Sequence, residues 1–160
     1  MRETIVLDRT YTASIEDVWE LWTTKEGFES WWGPEGFRVE VHELDARAGG
    51  AISYDMIADA ASAIAAMEAA GQPTRMTHRM TYRDVSAPDR LVITSVIDFS
   101  EVESYESDLV VELRAEGEQV HMKLTLEAMH NEEWTRMAVA GWESQLNKLS
   151  VLLSGDAARP

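Results

Sequence analysis

The chain of 160 residues carries 14 basic and 29 acidic side chains, a formal net charge of −15 with His counted as neutral. This charge repels phosphate backbones and anionic lipid headgroups, so nucleic acid and membrane surfaces are disfavoured as partners. The absence of Cys excludes disulfides and thiolate chemistry and is consistent with a reducing cytoplasm.

The N-terminal part of the chain predicts a strand followed by two short helices. Apolar and polar residues alternate over residues 4–12, which is typical of a strand with one buried face. Ser14 follows, and its hydroxyl can cap a helix whose first turn is acidic. A second helix over residues 25–32 is expected to end at Gly33-Pro34.

No targeting or membrane segment is expected. The first residues mix charges among their apolar side chains, whereas a secretory signal peptide needs a continuous apolar stretch. No run elsewhere approaches the roughly 20 apolar residues that cross a bilayer. With 45% apolar residues the chain can bury its own core, and we expect a single cytoplasmic domain over residues 1–154.

After the second helix, apolar and polar residues again alternate with a period of two, and this alternation predicts the remaining strands. Two alternating segments meet at Gly49-Gly50, a turn signal that indicates a β-hairpin. Because each strand alternates one apolar face with one polar face, we expect an antiparallel sheet of six to seven strands with one face buried. The downstream strands are predicted at residues 76–85, 91–99, 107–115 and 119–128.

An Ala-rich stretch at residues 59–71 interrupts the strands and predicts an inserted helix. Asp59 can cap this helix and Gly71 can end it. Ile64 and Met67 are its only large apolar side chains, so its apolar face is weak. The helix is therefore expected at the surface or as a lid.

The longest predicted element is a C-terminal helix that Asn131 caps and that runs to about Leu153. Only this helix has an apolar stripe wide enough to cover the sheet, which gives an α+β fold. Gly141 in its middle costs about 1 kcal/mol relative to Ala. We expect tight packing against the sheet there, or else room for the Trp142 ring. Residues 155–160 are expected to form a frayed tail.

Sequence motifs for common cofactors are missing. The chain lacks the glycine-rich loops of nucleotide-binding proteins, the nucleophile motif of α/β-hydrolases and the His-Glu-x-x-His zinc motif. His130 with Glu133 comes nearest to a metal pair, but His130 precedes the helix cap and no further ligand type recurs nearby. We predict no metal and no cofactor.

Aromatic residues are concentrated around the second short helix. The chain has six Trp, and Phe28, Trp31 and Trp32 crowd this helix. These side chains either anchor a short helix to the core or form an aromatic wall for an apolar ligand. Adjacent residues of a helix cannot both face inward, so one Trp of the pair is expected at the rim of a cleft.

A second group of candidates lies on one strand face. His78, Met80 and Tyr82 alternate with charged residues that must face water. The two polar side chains either complete the core edge or mark polar points in a ligand cavity. The candidate ligand-binding residues are Phe28, Trp31, Trp32, Tyr54, His78, Met80, Tyr82 and Trp142.

Five segments carry a family resemblance: residues 9–23, the Trp-Trp-Gly-Pro stretch at 31–34, and residues 44–50, 82–94 and 129–149. In these segments the chain resembles the SRPBCC, or START-like, superfamily. Within it, the chain resembles the bacterial stand-alone proteins related to the activator of the ninety-kilodalton heat-shock protein's ATPase. The residues that match the family pattern, mostly framework positions, are Trp31, Trp32, Arg47, Gly49, Gly50, Pro88, Arg90, Leu91, Gly141 and Trp142.

The resemblance implies a helix-grip fold, in which a curved antiparallel sheet wraps around the long C-terminal helix and leaves a deep apolar cavity. The insert at residues 59–71 departs from simpler members and leaves open whether it covers the cavity. In eukaryotic activators the chaperone role involves an additional N-terminal domain. That role therefore does not transfer on fold alone.

Three functions compete on this basis. The first is a binding protein for a hydrophobic or aromatic small molecule, since eight Met adapt to irregular ligands. The second is a polyketide-cyclase-like or hydrolase-like enzyme that uses His78, Tyr82 and Tyr54. The third is a co-chaperone or protein-interaction module whose acidic surface binds a basic partner. Such a role would connect the protein with a stress response. A monomer or a homodimer is expected.

Overall fold

The computed structural model describes residues 3–98 and 102–158, with side chains described up to Leu153. Within those residues no helix is long and apolar enough to span a membrane. The predicted element order is confirmed, although Phe99, the last residue of one predicted strand, lies outside the described residues. The elements are β1 (Thr4–Tyr11), α1 (Ile15–Thr23), α2 (Lys25–Trp31), β2 (Phe37–Leu44), β3 (Ala51–Ala58), α3 (Ala61–Ala69), β4 (Arg75–Ser86), β5 (Arg90–Ile97), β6 (Tyr105–Glu116), β7 (Gln119–Glu127) and α4 (Glu132–Ala158).

The seven strands form one antiparallel sheet in the order β1-β7-β6-β5-β4-β3-β2. Consecutive strands β1 and β2 therefore lie at opposite edges, and α1 and α2 connect them. Leu146 and Leu149 of α4 are fully buried in the same core as the inward side chains of the sheet. The predicted α+β helix-grip architecture is confirmed.

The hairpin predicted around Gly49-Gly50 forms between β2 and β3, through a loop over residues 45–50. A Cβ atom at Gly50 would lie 1.9 Å from the carbonyl oxygen of Asp45, so only glycine fits this close approach. Gly49 takes a positive φ of 87°, which also favours glycine.

Two of the three predicted helix caps are confirmed. Ser14 Oγ accepts the Asp17 N–H at 3.1 Å, and Asn131 Oδ1 accepts the Trp134 N–H at 2.8 Å. These bonds satisfy backbone donors that have no partner inside the helix.

The predicted cap at Asp59 is wrong. The N-cap of α3 is Ala60, which makes no side-chain bond. The backbone N–H groups of Asp59 and Ala60 instead donate to the carbonyl oxygen of Gly36, at 2.9 and 3.2 Å. This tertiary contact satisfies the two backbone donors that directly precede α3 and fixes where the helix begins. Gly71 ends α3 with a positive φ of 71°, as predicted.

The C-terminal helix is longer than predicted. α4 is helical to Ala158, beyond the predicted end near Leu153. The frayed tail predicted at residues 155–160 overlaps this end, and its last two residues lie outside the described residues. The frayed tail stays a prediction.

An ionic network around Asp55 holds β3, the strand that carries Tyr54 on its other face. The Asp55 carboxylate accepts hydrogen bonds from Thr77 at 2.6 Å, Arg75 at 2.6 Å and His42 at 3.0 Å. These donors lie on β4 and β2, so the network joins three strands. The Thr77 hydroxyl, then the Arg75 guanidinium and His42, hold the pKa of Asp55 well below its usual range.

Because the pKa of Asp55 is depressed in the folded state, its contribution to stability is fully present above the unfolded value of about 3.9. The contribution is lost as the pH falls through the folded pKa. We expect Asp55→Asn to lower the free energy of unfolding at pH 7 and to flatten its decline below about pH 4. Urea unfolding across this pH range measures both effects. Glu118→Gln, at an exposed turn carboxylate, is the control, and an equal effect there would contradict the role of Asp55.

A second prediction concerns α3, which contains no buried residue. We expect its amides to exchange hydrogen faster than those of α4 around Leu146 and Leu149, because few apolar contacts oppose its opening. Replacing residues 60–72 by a short Gly-Ser turn should preserve cooperative unfolding. Loss of folding in this deletion would show that α3 belongs to the core.

Candidate ligand-binding cavity

A cavity of about 300 Å³ lies between the inward face of the sheet and α4. Its wall is mostly apolar, with contributions from strands β1 and β3 to β7 and from the first turns and middle of α4. The apolar part of the wall includes Ile5, Met56, Ile93, Leu109, Met129 and Val139. The sequence builds this space because alternating strands present one apolar face while α4 covers it without filling it.

Four of the eight predicted ligand-binding residues line this cavity: Trp32, Tyr54, Met80 and Trp142. They come from four different parts of the fold, namely the end of α2, β3, β4 and α4. Tyr54 and Met80 project from the sheet because they occupy its inward positions. The cavity therefore brings together residues that are widely separated in the chain.

One Trp of the pair was expected at the rim of a cleft; Trp32 does line the cavity, but neither Trp is exposed. Trp31 is fully buried and Trp32 is 5% exposed. Helix α2 ends at Trp31, and Trp32 takes an extended ψ of 146°. The helical rotation between neighbours therefore does not apply to this pair, and both side chains turn inward in different directions.

The two Trp side chains pack in different parts of the core. Trp31 donates its indole N–H to the carbonyl oxygen of Leu21 at 2.8 Å and packs edge-on against Trp22 at 4.8 Å. Trp32 stacks on Phe28 at 4.4 Å and meets Trp142 edge-on at 5.2 Å. Phe28 and Trp31 thus lie behind the cavity wall, and they hold its aromatic part in place.

Tyr82 and His78 also lie outside the cavity wall. The Tyr82 hydroxyl donates to the carbonyl oxygen of Trp22 at 2.7 Å, deep in the core. His78 stacks on the ring of Tyr54 at 5.3 Å, and its Nε2 has no hydrogen-bond partner among the described residues. Burial lowers the pKa of His78, which favours the neutral ring. Of the three residues considered for catalysis, only Tyr54 lines the cavity.

The family described as "Activator of Hsp90 ATPase homolog 1-like protein" matches residues 12–154. The chain belongs to this family. The match confirms the family resemblance of the sequence.

Several solved structures have the same fold as this chain. A crystal structure of a protein from Chromobacterium violaceum is 23% identical, with a TM-score of 0.75, and the match covers 94% of this chain and 96% of that one. An AHSA1 protein from Silicibacter pomeroyi is 20% identical, with a TM-score of 0.74 and coverage of 96% and 99%. No functionally curated protein matches the chain. The likeness therefore shows the fold, and the function must be argued from the cavity.

Two polar residues of α4 hold the loop at residues 32–37, which we call the cavity loop. Gln145 Oε1 accepts the Gly33 N–H at 2.7 Å, and Ser144 Oγ accepts the Glu35 N–H at 2.9 Å. These contacts were not predicted from the sequence. The signal was present in Gln145, a polar residue within an otherwise apolar helix stripe, but nothing in the sequence named its partner.

Lys148, one turn further along α4, holds the same loop from its carbonyl side. Its Nζ donates to the carbonyl oxygens of Gly33 and Phe37 at 3.0 Å each. Burial lowers the pKa of Lys148, and the carboxylates of Asp59 and Glu35 oppose this change. The cavity loop is thus fastened to α4 through both its N–H and its carbonyl groups.

Gly141 corrects the expectation of tight packing in the middle of α4. A Cβ atom at Gly141 would meet nothing within 4 Å, and Gly141 lines the cavity. The alternative expectation, that space remains beside Trp142, agrees with this finding. The missing side chain therefore contributes volume to the cavity.

The inserted helix α3 lies at the surface and does not cover the cavity. None of the described residues 59–71 belongs to the cavity wall. A Cβ atom at Gly36 would lie 3.2 Å from the Cβ of Ala63, which shows how closely α3 approaches the cavity loop. Of the two predicted positions, surface or lid, the surface position agrees with the structure.

The hydrogen bonds of Lys148 generate a prediction for this site. Lys148→Met keeps most of the apolar stem but leaves cavity-loop carbonyls without their donor, so the free energy of unfolding should fall by about 1–3 kcal/mol. Denaturant unfolding followed by Trp emission measures this loss. Arg136→Met, at an exposed cation of the same helix, is the matched control. An equal loss in both variants would show that charge alone matters.

Proposed function

We propose that this protein binds a small hydrophobic or aromatic molecule in the cavity between the sheet and α4. The observation that carries the proposal is the cavity itself, whose volume of about 300 Å³ reaches the range of small-molecule sites. Such sites combine a mostly apolar wall with a few polar groups. The SRPBCC fold to which this family belongs is a ligand-binding scaffold.

The aromatic part of the wall is rigid before any ligand arrives. Trp32 is held between Phe28 and Trp142, and Trp142 stacks on Trp22 at 6.2 Å. A preformed wall lowers the entropy cost of binding. The side chains that line an empty space of this size also lack dispersion contacts on one side, and an apolar ligand would supply them.

Methionine side chains also contribute to the cavity wall. Met56, Met80 and Met129 all contribute to the lining. The unbranched thioether side chain adapts to irregular shapes and makes favourable contacts with aromatic rings. A wall that combines packed aromatic rings with adaptable side chains suits planar apolar molecules of varied outline.

The other function classes have less support. A cyclase or hydrolase would need its acid and base to meet at the substrate, yet His78 and Tyr82 lie outside the cavity wall. A chaperone-related partner agrees with the family description and with the net charge of −15, but no described surface identifies that partner. We therefore place ligand binding first.

A cavity-filling variant tests the proposal without removing any core side chain. The neutral dye N-phenyl-1-naphthylamine should bind the native protein with one-to-one stoichiometry and quench Trp emission, because Trp32 and Trp142 line the cavity. Ala138 also lines the cavity, so Ala138→Phe should weaken dye binding by at least about tenfold through lost volume. Fluorescence titration measures both.

Ala140→Phe is the matched control, since Ala140 is exposed on the same helix. It should leave the dye affinity unchanged. Dye binding only under partly denaturing conditions, or equal effects of the two variants, would count against a cavity ligand and favour an interaction module.

A further inference from the structure

We propose that the cavity selects a neutral apolar ligand that carries a hydrogen-bond acceptor oxygen, such as an aromatic ketone, and rejects carboxylates. This inference rests on the proposed function and names the ligand class of the same site. It follows from two oriented hydrogen-bond donors in the cavity wall and from the charges that surround them.

The first donor is the hydroxyl of Tyr54. The indole N–H of Trp32 donates to this hydroxyl oxygen at 3.0 Å, and an indole nitrogen can only donate. The hydroxyl hydrogen of Tyr54 must therefore point elsewhere, and no described residue accepts it. Tyr54 is 5% exposed and lines the cavity. Burial raises the pKa of Tyr54 to about 12, so the hydroxyl keeps its proton at neutral pH.

The second donor is the side-chain amide of Gln145. The backbone N–H of Gly33 can only donate, so the atom that receives it at 2.7 Å is the amide oxygen. This bond fixes the orientation of the amide and leaves its NH₂ group as the free end. No described residue accepts from that group, and Gln145 is a buried residue of the cavity wall.

The two donors are fixed by neighbouring residues. Trp32 orients Tyr54 and Gly33 orients Gln145, so one short piece of the cavity loop sets both groups. Fixed donors favour a fixed acceptor, because little further ordering is needed when the ligand enters. A carbonyl oxygen has two lone pairs and can accept from more than one donor.

The charges of the wall exclude an anionic ligand. No Lys, Arg or His belongs to the described lining, and its only residues with an ionisable carboxylate are Asp108 and Glu127. The Asp108 carboxylate already accepts hydrogen bonds from Arg83 and Thr94. Lys148, the cation that holds the cavity loop, donates to the carbonyl oxygens of that loop and does not belong to the described lining. A ligand carboxylate would lose its hydration without gaining a cation, which is strongly unfavourable.

Three naphthalenes of similar size test this selection in the intact protein. 2-Acetylnaphthalene carries the acceptor, 2-isopropylnaphthalene replaces it by a hydrocarbon group, and 2-naphthoate carries the negative charge. Titration by quenching of Trp emission gives the three affinities. We expect 2-naphthoate to bind at least about tenfold more weakly than the ketone, because one unpaired charge outweighs one hydrogen bond.

Tyr54→Phe removes the first donor and keeps the ring. It should weaken binding of the ketone by about tenfold, the loss expected for one hydrogen bond in a buried site, and change the hydrocarbon affinity by less than about threefold. Tyr82→Phe is the matched control, because that hydroxyl donates to the Trp22 carbonyl outside the cavity. It should leave the affinity for the ketone unchanged.

Tyr54→Phe also leaves the Trp32 indole without its acceptor and lowers stability, so a measurement on the unaltered protein accompanies it. The infrared carbonyl stretch of bound 2-acetylnaphthalene should lie below its position in an apolar solvent. Two results would overturn this inference: a carbonyl stretch of the bound ketone equal to that in an apolar solvent, or 2-naphthoate binding as tightly as the ketone. In either case, binding of 2-isopropylnaphthalene would still support the proposed function. If none of the three compounds binds, the proposed function itself fails.

Discussion

The attachment of the cavity loop to α4 determines the rest of the site. Gly33 and Gly36 have positive φ angles of 95° and 92°, and Pro34 lies between them, so this segment has no regular structure of its own. The N–H groups of Gly33 and Glu35 and the carbonyl oxygen of Gly33 need partners outside the loop. Side chains of α4 supply those partners, and the same loop then positions Trp32 in the wall. The orientation of both hydrogen-bond donors in the wall therefore depends on this loop.

Elements governed by local chemistry could be predicted from the sequence. Alternation of apolar and polar residues identified the strands, and the hydroxyl of Ser14 and the amide of Asn131 identified two helix starts. These signals act within a few residues, so they survive folding unchanged. The predicted cap at Asp59 was wrong because α3 begins one residue later, after Ala60, where the distant carbonyl oxygen of Gly36 holds the N–H groups of Asp59 and Ala60.

The site itself was predicted less completely, for physical reasons. Trp32, Tyr54, Met80 and Trp142 could be named as candidates because large side chains at inward positions must meet across the sheet. The direction of Trp32 depends on where α2 ends, which periodicity does not fix to one residue. The role of Gln145 depends on Gly33, a partner 112 positions away, and no local pattern reveals such a pair.

The strand order also makes the cavity depend on both ends of the chain. β1 pairs with β7, with Thr4 opposite Glu127, so the sheet joins segments from the two ends of the chain. The cavity wall likewise takes Ile5 from the first strand and Gln145 from the last helix. Pairings of such long range are slow, because the entropy of closing the intervening chain is lost before the contacts form. A nascent chain without α4 therefore lacks the helix side of the cavity wall, and any molecule that needs the whole wall would stabilise only the finished fold.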